Sequence, residues 1–147
     1  MGVAVRERGS FRICYPFGGA TIGGSHISIL LIIAGLDRAR FEPLVVVHQD
    51  GPLRGYLEDQ GISYEMLSLP DMDVRGSGLI NLTRLLQSAR HLTRFLHSRE
   101  ISLVRSSQAM VSRNWVLPCR LAGSRLLWDQ RGRVSSSQLD AWLRRAS

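Results

Sequence analysis

The chain has no lysine: all 19 of its Lys-plus-Arg side chains are arginine. A P-loop is thereby excluded, because its phosphate-binding turn needs a lysine after the second conserved glycine. Cysteine is nearly absent. Cys14 and Cys119 cannot make a disulfide framework; both sit in apolar segments, as buried free thiols do. His91 and His97 are not at metal-ligand spacing on a helix and the cysteines are far apart in sequence, so no metal is expected. No cofactor is expected either. There is no Gly-x-Ser-x-Gly elbow, since Gly24-Ser25-His26 runs on into Ile27. Long apolar runs are also missing. The longest, Ile27 to Leu36, carries Ser28 and Gly35 and is only about half of the roughly 20 residues that span a bilayer. Met1 to Phe17 lacks the apolar core of a signal peptide, and Arg6 stands where a myristoylation motif has Ser or Thr. A cytoplasmic protein is expected, with peripheral contact to a membrane left open.

The length of 147 residues suggests one domain. An apolar fraction of 44% and a charged fraction of 21% fit a globular chain rather than a disordered one. The net charge is +7. Arginine forks bind phosphate and carboxylate, so anionic partners fit; compositional bias toward arginine explains the same count. No helix-turn-helix or zinc module is visible, and nucleic acid is not an expected partner.

Along the chain, short apolar runs alternate with helical patterns. Phe11 to Pro16 reads as a buried strand, Gly18 to Gly24 as a loop, and Ser25 as the cap of a helix running to about Leu36. Pro43 to His48 is β-branched and reads as a second strand. A short helix, Leu53 to Gln60, is stopped by Gly61, and Ile62 to Leu69 reads as a third strand. Ile80 to Ser98 is the clearest helix: Leu82, Leu85, Leu86, Ala89, Leu92 and Leu96 form one stripe. Arg84, Arg90, His91, Arg94 and His97 lie off it, with no acid between Asp73 and Glu100. Ile101 to Val104, a helix from Met110 to Ala122, and Leu126 to Trp128 complete the alternation. Leu139, Trp142 and Leu143 suggest a last amphipathic turn. The pattern predicts an α/β fold, a doubly wound parallel sheet of Rossmann type, whose ligands bind beyond the C-terminal ends of the strands.

Glycines in the loop Gly18-Gly19-Ala20-Thr21-Ile22-Gly23-Gly24 permit close backbone approach, and the helix after it offers free N–H groups to an anion. A merely tight turn reads the same way. The loop lacks the i, i+2, i+5 glycines of a dinucleotide fingerprint. His26, in the first helical turn, is either a ligand contact or a histidine of the cap region; His48 is either cleft-facing or a strand-terminal polar residue. After the fifth strand, Asp129 is a candidate base or orienting carboxylate and Arg131 a candidate phosphate or carboxylate fork, unless the two only hold a loop. Arg105-Ser106-Ser107-Gln108 is a second polar cluster, lining the cleft or capping a helix.

Together, Gly23-Gly24-Ser25-His26, the segment Gly35 to Pro43 leading into Leu44 to Val47, Gly51-Pro52-Leu53 through Gly61-Ile62, and Leu121-Ala122-Gly123 before Leu126-Leu127-Trp128 resemble a known domain. It is the N-terminal domain of GT-B glycosyltransferases of the large retaining family, the glycosyltransferase subfamily 4-like type. The resemblance covers about residues 11 to 133, leaving residues 1 to 10 as a flexible N-terminus and 134 to 147 as a tail or the start of an inter-domain segment. It implies transfer of a sugar from a nucleotide-sugar donor to a carbohydrate or lipid-linked acceptor. Gly23, Gly24, Ser25 and His26 would lie near donor and acceptor, with Arg131 at a basic position beyond the fifth strand. Family members carry a histidine at the position of Asp129, the catalytic candidate, and this departure implies a subfamily with a different cleft. They also close a second, donor-binding domain over the first. The chain ends before one, which implies a fragment, a truncated product or one subunit of a split enzyme, inactive alone and needing a donor-domain partner. A non-catalytic binding subunit of the same fold and a small nucleotide-binding α/β protein are the alternatives. A response regulator is disfavoured, because paired acids are missing after the first strand.

Overall fold

The computed structural model describes residues 10–69 and 78–129. Their elements are β1 (Phe11–Phe17), α1 (Gly24–Ala34), β2 (Phe41–Val47), α2 (Pro52–Asp59), β3 (Tyr64–Met66), α3 (Gly78–Ser98), β4 (Leu103–Ser106), α4 (Ala109–Ala122) and β5 (Arg125–Trp128). The strands form one all-parallel sheet in the order β3-β2-β1-β4-β5. The chain first winds outward from β1 to β3, then returns through α3 to the other side of β1. The topological switch point therefore lies between β1 and β4.

Alternation along the strands builds two cores. Ile13, Tyr15, Phe17, Val45 and Val47 pack with Ile29 and Ile33 of α1 and with Leu53 and Leu57 of α2. Cys14, Val46, Val104 and Leu126 point the other way, against Leu92 and Leu96 of α3 and Trp115 and Val116 of α4. A sheet buried on both faces by crossover helices needs strands that are apolar on both faces, and Leu44 to Val47 is such a run. Both cysteines are free and buried, as expected.

Turn residues close the elements. Gly61, at φ +63°, follows the end of α2, and the N–H groups of Gly61 and Ile62 return to the carbonyls of Glu58 and Leu57. Gly123 ends α4 in the left-handed region. Glu100 holds the equivalent place after α3 at φ +52°, without the freedom of glycine.

Three expectations need correction. The N-cap of α1 is Gly23, in extended conformation, and Ser25 lies inside the helix. The third strand shrinks to Tyr64–Met66. The α3 stripe is only half used: Ala89, Leu92 and Leu96 are buried, while Leu82, Leu85 and Leu86 are exposed. Length explains this. A helix of 21 residues is about 31 Å long, whereas the neighbouring strand β4, with 4, reaches about 13 Å, so one end of α3 overhangs the sheet. Arg131 and the segment with Leu139, Trp142 and Leu143 lie outside the described residues.

Candidate functional site

The switch point brings the loop after β1 and the turn after β4 together. Gly19 makes the first of these possible. Its φ is +101°, and a Cβ there would lie 2.1 Å from the carbonyl oxygen of Gln49. Gly51 completes the contact, since a Cβ on it would lie 2.6 Å from the Gly19 oxygen. The loops after β1 and β2 thus pack backbone to backbone, and the path toward α1 is fixed. A Cβ on Gly24 would meet nothing within 4 Å. Gly24 is therefore open surface, and its glycine is not required by the packing seen here.

His26 is 3% exposed. The Gly23 N–H donates to its Nδ1 at 3.1 Å, and its ring lies 5.5 Å from that of Phe17. Burial lowers its pKa. Across the crevice, Gln108 is the N-cap of α4 in extended conformation, but its side chain does not cap that helix. Its carbonyl accepts from the N–H and Oγ of Ser112, which anchors it. The side chain spans the crevice instead: Oε1 accepts the Gly18 N–H at 2.9 Å, and Nε2 lies 3.1 Å from His26 Nε2. The first turns of α1 and α4 border this crevice together, and their uncapped N–H groups favour negative charge. Ser107 Oγ, in the same turn, is buried without a hydrogen-bond partner among the described residues.

Asp129 sits one strand further out. Its N–H donates to the Ser106 carbonyl, and its carboxylate pairs with Arg105 at 3.4 Å, both side chains being partly exposed. Arg105 also approaches the hydroxyl of Tyr15 and lowers its pKa, against a larger rise from burial. Arg105 thus links β1, β4 and the residue that follows β5. His48 does not face the crevice. Its Nδ1–H donates to the Leu67 carbonyl at 2.7 Å, and its Nε2 accepts from Trp115 Nε1–H at 3.0 Å, deep in the α3–α4 core. No group of three or more potential metal ligands exists among the described residues. A hollow of about 300 Å³ is lined by Leu30, Ile33, Arg38, Pro43, Val45 and Ile62, but at the N-terminal end of the sheet, away from the switch point.

The fold has known counterparts. MurG of Acinetobacter baumannii superposes with a TM-score of 0.69 at 20% identity over 95% of this chain. A UDP-N-acetylglucosamine 2-epimerase does so with 0.65 at 12% over 94%. Alr3699/HepE of Anabaena, crystallised with UDP and glucose, gives 0.54 at 18% over 80%. The fold is that of a GT-B Rossmann-like domain. At these identities the likeness concerns fold alone. The chain spans 40% of the MurG chain, 39% of the epimerase and 29% of HepE. Neither a protein-family model nor a curated protein matches.

The sequence pointed to the loop and to His26. It gave no sign that Gln108 reaches both, because the contact joins residues 90 and 82 positions apart. His48 could have been assigned from strand alternation, which puts it on the same face as Val46.

Proposed function

We propose that this chain is the acceptor-side half of a glycosyltransferase of the retaining, subfamily 4-like GT-B type. It transfers a sugar from a nucleotide-sugar to a carbohydrate or lipid-linked acceptor, together with a donor-binding domain. The observation that carries the reading is the switch-point crevice, where a glycine loop and two helix N-termini converge on buried His26. Such a crevice suits the diphosphate of a donor, and HepE was crystallised with UDP and with UDP-glucose.

In this reading Gly23, Gly24, Ser25 and His26 border donor and acceptor, and Arg131 adds positive charge. Asp129 is the candidate base, held by Arg105. The 2-epimerase neighbour shows that the same fold accompanies other sugar chemistry, so the assay must separate transfer from epimerisation. The purified chain is incubated with several UDP-sugars and lipid-linked acceptors, alone and with a donor-domain protein. Glycosylated acceptor appearing only with the partner is the expected result. Epimerised sugar without transfer, or no binding of any nucleotide-sugar, would reject it.

The acceptor side also meets an anionic membrane surface in this proposal. Leu82, Leu85 and Leu86 of α3 and Leu117 and Leu121 of α4 are exposed, and Glu100 is the only acid between Asp73 and Asp129. No helix among the described residues is long and apolar enough to cross a membrane. Exposed leucines on an arginine-rich segment suit peripheral contact with acidic headgroups.

A further inference from the structure

The crevice holds one hydrogen-bond donor more than it can use. Gly18 N–H and Gly23 N–H are fixed backbone donors, 2.9 Å from Gln108 Oε1 and 3.1 Å from His26 Nδ1. Between them stand the Gln108 amide and the His26 imidazole, with their Nε2 atoms 3.1 Å apart. An amide has one acceptor oxygen and one donor nitrogen; a neutral imidazole has one N–H and one lone pair.

The four groups cannot all be matched. With Gln108 Oε1 accepting from Gly18, the amide nitrogen must donate to His26 Nε2. The ring proton then sits on Nδ1 and faces the Gly23 N–H. Moving that proton to Nε2 restores the Gly23 bond but sets Nε2–H against the amide NH₂. Turning the amide over cures that contact and sets NH₂ against the Gly18 N–H. Protonating the ring adds another donor. Every arrangement leaves two donors facing each other, and because Gly23 is exposed and Gly18 half-buried, the surplus donor is open to an acceptor from outside.

We propose that Gln108 is a positioning residue that keeps the His26 proton divided between the two ring nitrogens, and that the missing acceptor is an anionic phosphate oxygen of the ligand. The proposal rests on the donor-diphosphate reading above and adds to it the group that tunes His26. Anionic oxygen is the strongest acceptor for such donors, and both flanking helix N-termini favour its charge. Once the ligand takes up one backbone N–H, the amide and the imidazole settle into a single matched arrangement.

Glutamate at this position would supply two acceptor oxygens and no donor. Gln108→Glu therefore satisfies Gly18 N–H and His26 Nε2–H together, with Nδ1 accepting from Gly23. The test uses the full chain, ¹⁵N NMR of the histidine ring nitrogens, thermal melts and titration with inorganic pyrophosphate and UDP. In the free wild type, the His26 nitrogens should report a mixture of tautomers that pyrophosphate collapses to one. Q108E should melt higher than wild type, show the Nε2–H form without ligand, and bind pyrophosphate about tenfold or more weakly. Gln108→Leu, which removes the bridge, should also bind more weakly but melt lower. A single pure tautomer in the free wild type, unmoved by Q108E or by pyrophosphate, overturns the proposal. So does a Q108E protein that melts lower and binds like wild type. Binding of pyrophosphate but of no UDP or UDP-sugar would reject the nucleotide-sugar reading and leave this one standing.

Discussion

Acidifying the medium from about pH 7.5 to about pH 5 charges the histidines of an unfolded chain, whose pKa is near 6.5. Folded His48 resists this, because both ring nitrogens are committed, Nδ1–H to the Leu67 carbonyl and Nε2 to the Trp115 N–H. Protonation would break the Trp115 bond and bury a cation, and desolvation accordingly lowers its pKa, more than the Leu67 bond raises it. Where the folded pKa is depressed, the unfolded chain binds more protons between the two pKa values. Stability is then complete above about pH 6.5 and falls as the pH drops toward the folded value. One such group contributes at most about 1.4 kcal/mol per pH unit, and His48 with His26, which is lowered in the same direction, at most about 2.7. In His48→Phe the ring shape is kept, but the Leu67 carbonyl and the Trp115 N–H lose their partner, at about 1–3 kcal/mol each. The variant should therefore be less stable near pH 7.5 by about 2–6 kcal/mol. Its deficit should narrow by up to about 1.4 kcal/mol for each pH unit below 6.5. Urea unfolding of both proteins at several pH values measures this. A wild type with flat stability across the range, or a deficit that does not change with pH, refutes the reasoning.

Other substitutions test particular contacts. Gly19→Ala forces a Cβ to within 2.1 Å of backbone at φ +101° and should abolish folding or cost several kcal/mol, whereas Gly24→Val, in open space, should leave the melt nearly unchanged and cut UDP binding. Leu92→Ala should cost about 2–5 kcal/mol and Leu86→Ala, on the same α3 stripe, close to nothing; equal losses in chemical denaturation would contradict the half-used stripe. Glu100→Gly relieves a left-handed residue after α3 and should raise stability by about 0.5–1 kcal/mol, read from the unfolding midpoint. Leu85→Ser with Leu117→Ser should weaken retention on anionic vesicles at low salt, and equal retention by neutral vesicles would reject the membrane face.

The frame of this molecule was readable because it repeats local signals. Leu44 to Val47 is apolar on both faces, as a central parallel strand must be, and Gly61 and Gly123 mark helix ends by the left-handed conformation they adopt. What escaped was set by distance. Nothing near Gln108 in the chain indicates that its amide meets Gly18, and nothing near Asp129 indicates Arg105 as its partner, since only the β4–β5 register, which sets Arg105 beside Leu127, brings them within reach. Ser25 attracted the cap assignment through its residue type, yet Gly23, extended and two residues earlier, begins the helix. The leucine stripe gave the buried direction of α3 correctly, but periodicity carries no information on how far the sheet beneath it extends.

His26 and His48 show why burial alone does not separate structural from functional histidines. They are 3% and 6% exposed, and both have lowered pKa values. At His48 the partners are one acceptor and one donor, a carbonyl and an indole N–H, and a neutral ring matches them in one tautomer. Nothing is left over, so the ring can serve packing alone. At His26 the fixed partner is a donor, and the other side is an amide already drawn on by a second backbone donor. No tautomer satisfies that set. A core position with such a mismatch would cost stability without return, whereas a ligand crevice can supply the absent acceptor. The difference lies in the count of donors and acceptors around each ring, and the ligand proposed at the β1–β4 switch point rests on that count.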